Sequence, residues 1–236
     1  MKKTIVALVS TILMMACGDD SSNNTNEGDV SINSESGCSP CEYGKLTDER
    51  DGQSYRTVTI GSQTWMAENL NYEIDYSWCG GASGTTEGNC ETYGRLYTWA
   101  TAVGKSEDEC GYGHDCTTLG SGNVQGVCPD GWHVPTKEEW NALFAAVGGQ
   151  STAGQKLKAM TGWKTFDPFT NNEDAYGFSA LPVDRNGGVG KYAFFWSATE
   201  SSSSYAYHMV LGYDYENAYL PDDNKNSRLS VRCLKD

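Results

Sequence analysis

The hydrophobic positions of this chain switch between two periods, and each switch marks an element. In CPDGWHVPTKEEWNALFAAVGG, residues 128–149, Trp140, Leu143, Phe144 and Val147 recur at i, i+3, i+4 and i+7, the spacing of one helix face. Thr136 stands where an N-cap belongs, Glu139 three residues later completes a capping box, and Gly148 and Gly149 end the run. This is the strongest helix signal in the chain, with Trp132 and Trp140 expected to anchor the helix on a sheet. A second helix is expected over about residues 152–160, with Leu157 and Met160 inward and Gly162 as its stop.

Elsewhere the period falls to two. SYRTVTIG alternates Tyr55, Thr57 and Thr59 with Arg56, Val58 and Ile60; Gly61 and Ser62 offer a turn, and QTWMAENL follows, predicting a hairpin with Trp65 in the core. ETYGRLYTWATA fits either a short helix or a buried strand, since its periodicity does not arbitrate. Residues 178–183 read as a short strand before an Asn186 and Gly187 turn. KYAFFWSATE and YAYHMVLGYD read as strands around a loop at residues 201–204, residues 222–226 as a final turn, and SRLSVRCLKD as one closing strand. Residues 73–92 and 104–127 are long and irregular. The pattern is that of an α+β domain with two short helices and several antiparallel strands.

The leader changes the picture. MKKTIVALVSTILMMACGDD opens on Lys2 and Lys3, runs apolar from Ile5 to Met15 and places Ala16 before Cys17. Residues 1–16 read as a secretory signal peptide, too short to span a membrane as a helix. The junction resembles the bacterial lipoprotein signal, with Met14 where leucine is usual, which implies lipidation of Cys17. Ordinary secretion with Cys17 inside the discarded peptide is the alternative. Residues 17–44 then comprise the lipidated cysteine and a Ser, Asn and Asp-rich tether, of which ~20 residues span about 25 Å. The folded domain is residues 45–236. An outer-membrane lipoprotein facing outward, bound to the membrane through its lipid, is the expected setting.

The chain has nine cysteines, an unusual number outside an oxidising compartment. Setting Cys17 aside leaves Cys38, Cys41, Cys79, Cys90, Cys110, Cys116, Cys128 and Cys233, an even set suited to disulfides. Eight cysteines admit about a hundred connectivities, so pairing stays open. The expected solution joins Cys38 to Cys41, Cys79 to Cys90, Cys110 to Cys116 and Cys128 to Cys233. A zinc site is disfavoured because only Cys38 and Cys41 have CxxC spacing, with His114, His133 and His208 remote from them. A redox role for CSPC lacks the βαβ context such motifs need.

The chain is acidic, with 17 Lys plus Arg against 31 Asp plus Glu and a formal charge of -14, which argues against nucleic-acid binding. Seven tryptophans, fourteen tyrosines and six phenylalanines are enough to build one core.

DGQSYRTVTIGSQTWMAENLNY, YGRLYTWATA, CPDGWHVPTKEEWNAL, YGFSALP, FWSATE and SVRCLKD occur in an order that resembles the Fibrobacter succinogenes major paralogous domain, a family of secreted bacterial proteins with no established activity. More distantly, WHVPTKEEW and YGRLYTW are similar to blocks of the formylglycine-generating enzymes, a variant of the C-type lectin-like fold. That resemblance implies two helices, a twisted antiparallel sheet and long disulfide-stapled loops. It does not carry the enzyme's chemistry across: the copper-binding cysteine pair of the C-terminal half is absent, and Thr98 stands where a calcium-binding carboxylate is expected.

No GxSxG, HExxH or phosphate-binding glycine loop is present. His133 and His208 read as structural. Asn171, Asn172, Glu173 and Asp174 cluster in one loop and Asp222, Asp223 and Asn224 in another. Calcium is a candidate ion there, with Asn171, Glu173, Asp174, Asp222 and Asp223 as oxygen ligands; solvated turns are the bland alternative. Tyrosines between Tyr205 and Tyr219 are candidates to stack on sugars, with half of them expected to face the core. The leading expectation is a non-catalytic binding or adhesion module for polysaccharide or a surface protein. An enzyme with relocated chemistry and a passive coat protein are the alternatives.

Overall fold

The computed structural model describes residues 41–81, 89–120, 122–169, 171–183, 185 and 188–236. The expected signal peptide, Cys17, Cys38, most of the tether and the Asn186 and Gly187 turn lie outside the described residues.

In chain order the first half holds β1 (Gly44–Thr47), β2 (Ser54–Ile60), β3 (Gln63–Met66), β4 (Ser77–Cys79), α1 (Cys90–Tyr93), β5 (Arg95–Tyr97), α2 (Trp99–Ala102) and α3 (Glu107–Cys110). The second half holds β6 (Trp132–His133), α4 (Lys137–Ala146), α5 (Gln150–Leu157), β7 (Tyr192–Ser202), β8 (Tyr205–Gly212), β9 (Ala218–Tyr219), β10 (Asp222–Asn224), β11 (Leu229–Ser230) and β12 (Leu234–Lys235). One sheet runs β1-β2-β3-β12-β6; the other runs β10-β8-β7-β11-β5-β4, with β9 also on β8. Pairing is antiparallel except where β11 meets β7 in parallel at Ser230 and Phe195. The architecture is mixed α+β. Among the described residues there are three single-turn helices beyond the two expected ones, and ETYGRLYTWATA is helix, strand and helix in succession.

Helix α4 forms as its sequence dictates. Thr136 Oγ accepts from the Glu139 amide at 3.2 Å and Glu139 Oε2 accepts from the Thr136 amide at 2.8 Å, closing the capping box. Its apolar face buries Trp140, Leu143 and Phe144. Gly148 and Gly149, at φ 98° and 106°, supply the left-handed geometry that turns the chain away, with the Gly149 amide donating to Phe144 O at 2.7 Å. Trp140 stacks on Trp65 of the N-terminal hairpin at 4.6 Å between centroids, so helix and hairpin share one core. Each such ring buried is worth roughly 1.5–3 kcal/mol. Trp132 joins a different core cluster, with Trp99 and Trp196, and does not help to seat the helix.

Three other expectations need correction. Helix α5 ends at Leu157, where Lys158 turns extended at ψ 134°, and Met160 is 53% exposed rather than inward. Residues 178–183 form isolated bridges, Ala180 to Lys158 and Val183 to Val189, not a strand. The closing segment is not one strand: β11 lies in the second sheet and β12, four residues on, in the first.

Between β11 and β12, Arg232 is 1% exposed. It donates to Asn69 Oδ1 at 2.9 Å, to Ser179 O at 2.9 Å and to Phe178 O, and lies over the Phe178 ring at 4.4 Å. Cys233 is bonded to Cys128, Cys79 to Cys90 and Cys110 to Cys116. Cys41 is disulfide-bonded.

Candidate functional site

Strands β7 and β8 pair in register from Tyr192 with Gly212 to Trp196 with His208, so alternate residues share a face. Ala193, Phe195, Met209 and Leu211 point into the core beneath α4. The opposite face carries Tyr192, Phe194, Trp196, His208 and Val210. Its Trp196 end is buried in the other core cluster, while its Tyr192 end opens into a cavity of about 660 Å³. Tyr192, Phe194, His208 and Val210 line it.

Pro221, Asp222 and Asp223 line it from the sheet edge. Residues 222–226, read as a turn, begin instead with β10. Tyr219 faces Val210 and Asp222 faces Tyr207, the same register, so β9 and β10 are one edge strand interrupted at Pro221. Proline has no amide to give the ladder and is tolerated at such an edge. The ladder continues through the Pro221 carbonyl, which accepts from the His208 amide at 2.9 Å.

Tyr215 closes the next side. A side chain on Gly212 would sit 2.3 Å from the Tyr215 ring, so the bare backbone there lets the ring fold over the strand end. Beneath this turn, Lys158 Nζ donates to Gly212 O at 2.8 Å and to Tyr215 O at 3.0 Å. Burial pulls the Lys158 pKa down to about 8, with Glu216 and Asp214 opposing.

Arg185 and Lys191 complete the lining. Arg185 Nη1 lies 2.9 Å from Asp223 Oδ2 and its guanidinium 5.2 Å from the Phe194 centroid. Ser201 Oγ donates to Asp222 Oδ2 at 2.7 Å. Burial drops the His208 pKa to about 4 against the pull of Asp223, so the ring is neutral near pH 7. His208 is 3% exposed, and its Nδ1 is buried without a hydrogen-bond partner. Two carboxylates thus face two cations and a neutral imidazole, leaving the lining balanced within a chain of formal charge -14. Such a cavity can hold an uncharged polar ligand, with aromatic faces for its apolar side and charged groups for its hydroxyls.

The residues singled out from sequence fall in separate places. Asp222 and Asp223 are at the cavity. Asn171 and Glu173 are exposed, and Asp174 is buried, accepting from the Ser179 amide at 2.7 Å and Ser179 Oγ at 2.6 Å. Burial raises the Asp174 pKa, while Ser179 and Arg232 act against it. Among the described residues, no three His, Cys, Asp or Glu side chains group as a metal ligand set. Thr98 caps α2 and donates to Glu107 at 2.5 Å. His133 bridges Glu139 at 3.0 Å and Asp236 at 2.6 Å, joining β6 to α4 and the end of β12. None of Tyr205, Tyr207, Tyr213, Tyr215 and Tyr219 is buried, against the expectation that half would face the core. Sequence reading missed Tyr192, Phe194, His208 and Arg185 as a group. The one available signal was the alternation of KYAFFW and YAYHMV, which puts them on one face only once the two strands are paired.

Comparison with curated proteins and with solved structures returned no match. Among the described residues no helix is long and apolar enough to cross a membrane. A profile of the Fibrobacter succinogenes major domain matches residues 58–235, from the middle of β2 through β12 and including every residue of the cavity. The chain therefore belongs to the Fibrobacter succinogenes major domain family.

Proposed function

We propose that this protein is a non-catalytic binding module for polysaccharide, held at the bacterial outer membrane by a lipid on Cys17 and facing outward. The observation that carries the reading is the charge-balanced, aromatic-walled cavity on β7 and β8. Its volume of about 660 Å³ is that of a small-ligand site and suits a sugar better than the flat surface of a protein partner. His208 Nδ1 supplies a polar atom that no protein group engages. We read the α+β architecture as a C-type lectin-like variant, in keeping with the WHVPTKEEW and YGRLYTW blocks. Asp222 and Asp223 are held by Ser201 and Arg185, and in this reading they orient hydroxyls rather than transfer protons.

The test is calorimetric titration of the full chain with a panel of neutral glycans and cell-wall polysaccharides, alongside Asp223→Ala and His208→Ala. Binding that falls at least about tenfold in both variants is expected, equivalent to roughly 1.4 kcal/mol. Affinity for no member of the panel, or binding indifferent to both substitutions, overturns the reading. Turnover of a bound glycan that Asp222→Ala abolishes would replace it with the enzyme alternative. Fractionation tests the anchor: a Cys17→Ser variant that stays with the membranes refutes lipidation.

A further inference from the structure

Resting on that reading, we infer that the cavity is the inner end of a longer site for a linear polysaccharide chain, whose outer end is the aromatic pair Phe166 and Phe169. The argument is a single file of rings. Phe169 lies parallel to Phe166, with centroids 6.4 Å apart and 2° between planes. Phe166 meets Tyr213 at 5.5 Å, Tyr213 meets Tyr192 at 5.9 Å, Tyr192 meets Phe194 at 5.9 Å and Phe194 meets His208 at 5.5 Å. The last three of these residues to be reached, Tyr192, Phe194 and His208, are cavity wall. The file thus leads from solvent to His208, whose Nδ1 has no hydrogen-bond partner.

The outer rings are held in place. The Phe169 amide donates to Phe166 O at 2.6 Å, which closes a tight turn between the two rings. At one end of this loop the Lys164 amide donates to Gly190 O at 2.7 Å, and the Tyr213 amide donates to Lys191 O at 2.8 Å, tying both aromatic segments to the mouth of the cavity. Phe166 nevertheless keeps 45% of its surface in water. An apolar ring pinned in solvent, rather than tucked into the core clusters nearby, is placed to meet something.

The arrangement selects a chain over other occupants. A pyranose presents an apolar face that stacks on an aromatic ring and an edge of hydroxyls that does not; the file turns edge-to-face at Tyr213, so the stacking faces lie at its two ends, one in the cavity wall and one at Phe166 and Phe169. The strip is one ring wide and ends in an open-mouthed cavity. A protein partner would need a broad patch to bury the area of a stable interface. A monosaccharide would fill the cavity and leave Phe166 unused.

The experiment measures affinity against chain length, by titrating the wild type, Phe166→Ala and Phe166→Trp with a series running from the monosaccharide to long oligomers of a glycan the wild type binds. Affinity of the wild type is expected to rise with length and then level off. Phe166→Ala should lose about tenfold on long oligomers and nothing on the monosaccharide, while Phe166→Trp, which keeps a stacking face, should hold the long-chain affinity. Phe169→Ala should repeat the pattern of Phe166→Ala. Affinity independent of length, or an equal loss on short and long ligands, overturns the extended site and leaves the cavity reading standing. Wild-type binding to a protein ligand and to no saccharide overturns both.

Discussion

The disulfide between Cys128 and Cys233 should contribute more to stability than the other two described bridges, and by an amount that chain statistics set. Its ends are 105 residues apart, against 11 for Cys79 with Cys90 and 6 for Cys110 with Cys116. Loop-closure entropy removed from the unfolded chain then corresponds to about 4.7, 2.8 and 2.2 kcal/mol in that order. A domain of this kind is stable by roughly 5–15 kcal/mol, so loss of the first bond takes about three-tenths of the total or more. Cys128 and Cys233 are buried in the same core cluster as Cys110 and Cys116, so replacing either pair adds a packing loss and the difference between them rests on loop length. The assay is equilibrium urea unfolding of three double-alanine variants, one per bridge. The Cys128 and Cys233 variant should show the lowest midpoint and also the steepest dependence on urea, because its unfolded chain expands furthest. If the Cys110 and Cys116 variant loses as much stability as this one, the long bridge does not act as a constraint on the unfolded chain and the reasoning fails.

Two further perturbations follow from buried charge. Burial alone would lower the pKa of His133, but hydrogen bonds and charge from Glu139 and Asp236 outweigh it and raise the pKa from 6.5. The folded state therefore holds this proton more tightly than the unfolded one, so the gain is complete below pH 6.5 and is lost as pH rises through the folded pKa. Glu139 is shifted the other way: burial opposes, but bonds from His133 and Thr136 pull it below 4.5, and its contribution is lost as pH falls through that depressed value. Stability should peak between the two. Glu139→Gln, which can still close the capping box, should flatten the fall at higher pH, whereas Thr136→Ala should lower stability by about 1 kcal/mol and leave the fall at higher pH in place. Urea midpoints across pH check both, and an unchanged fall in Glu139→Gln would refute the pairing. Arg232→Met should lose about 3 kcal/mol or more, since Phe178 O, Ser179 O and Asn69 Oδ1 would be left buried without their donor. Arg232→Lys should recover only part of that, because one ammonium cannot match a planar fork of donors. A thermal midpoint within a degree or two of wild type for either variant would contradict this.

What could be read from the sequence is what neighbouring residues decide among themselves. The capped helix at Thr136 and the hairpin around Gly61 rest on contacts a few positions apart, and both formed as expected. The errors fall where a distant partner overrides local pattern. Asp222, Asp223 and Asn224 have turn composition, yet β8 recruits them as an edge strand. SRLSVRCLKD alternates like one strand, but Ser230 is claimed by Phe195 and Leu96 in one sheet, and Leu234 by Trp65 and His133 in the other. Met160 fits the helical period of α5, but the chain leaves the helix at Lys158, whose ammonium is drawn to carbonyls of the Gly212 turn. The candidate site was the least legible part. Its wall takes residues from β7, from β8 and from the edge at Pro221, all within residues 185–223, and only the pairing of those strands puts them on one face.

The split of residues 229–235 between the sheets also bears on the order in which the protein can assemble. Every other strand of both sheets precedes this segment, so a chain emerging from its N-terminus has β3 and β6 with no β12 between them, and β7 with no β11 to join it to β5. Cys233, the native partner of Cys128, is missing over the same interval. Neither half can finish alone, and the growing chain must hold its aromatic surfaces unpaired until these last strands arrive. Completion is then a single event in which two sheets, a buried guanidinium and the longest of the described disulfides close together, so a truncation before Leu229 should leave no folded remnant rather than a smaller domain.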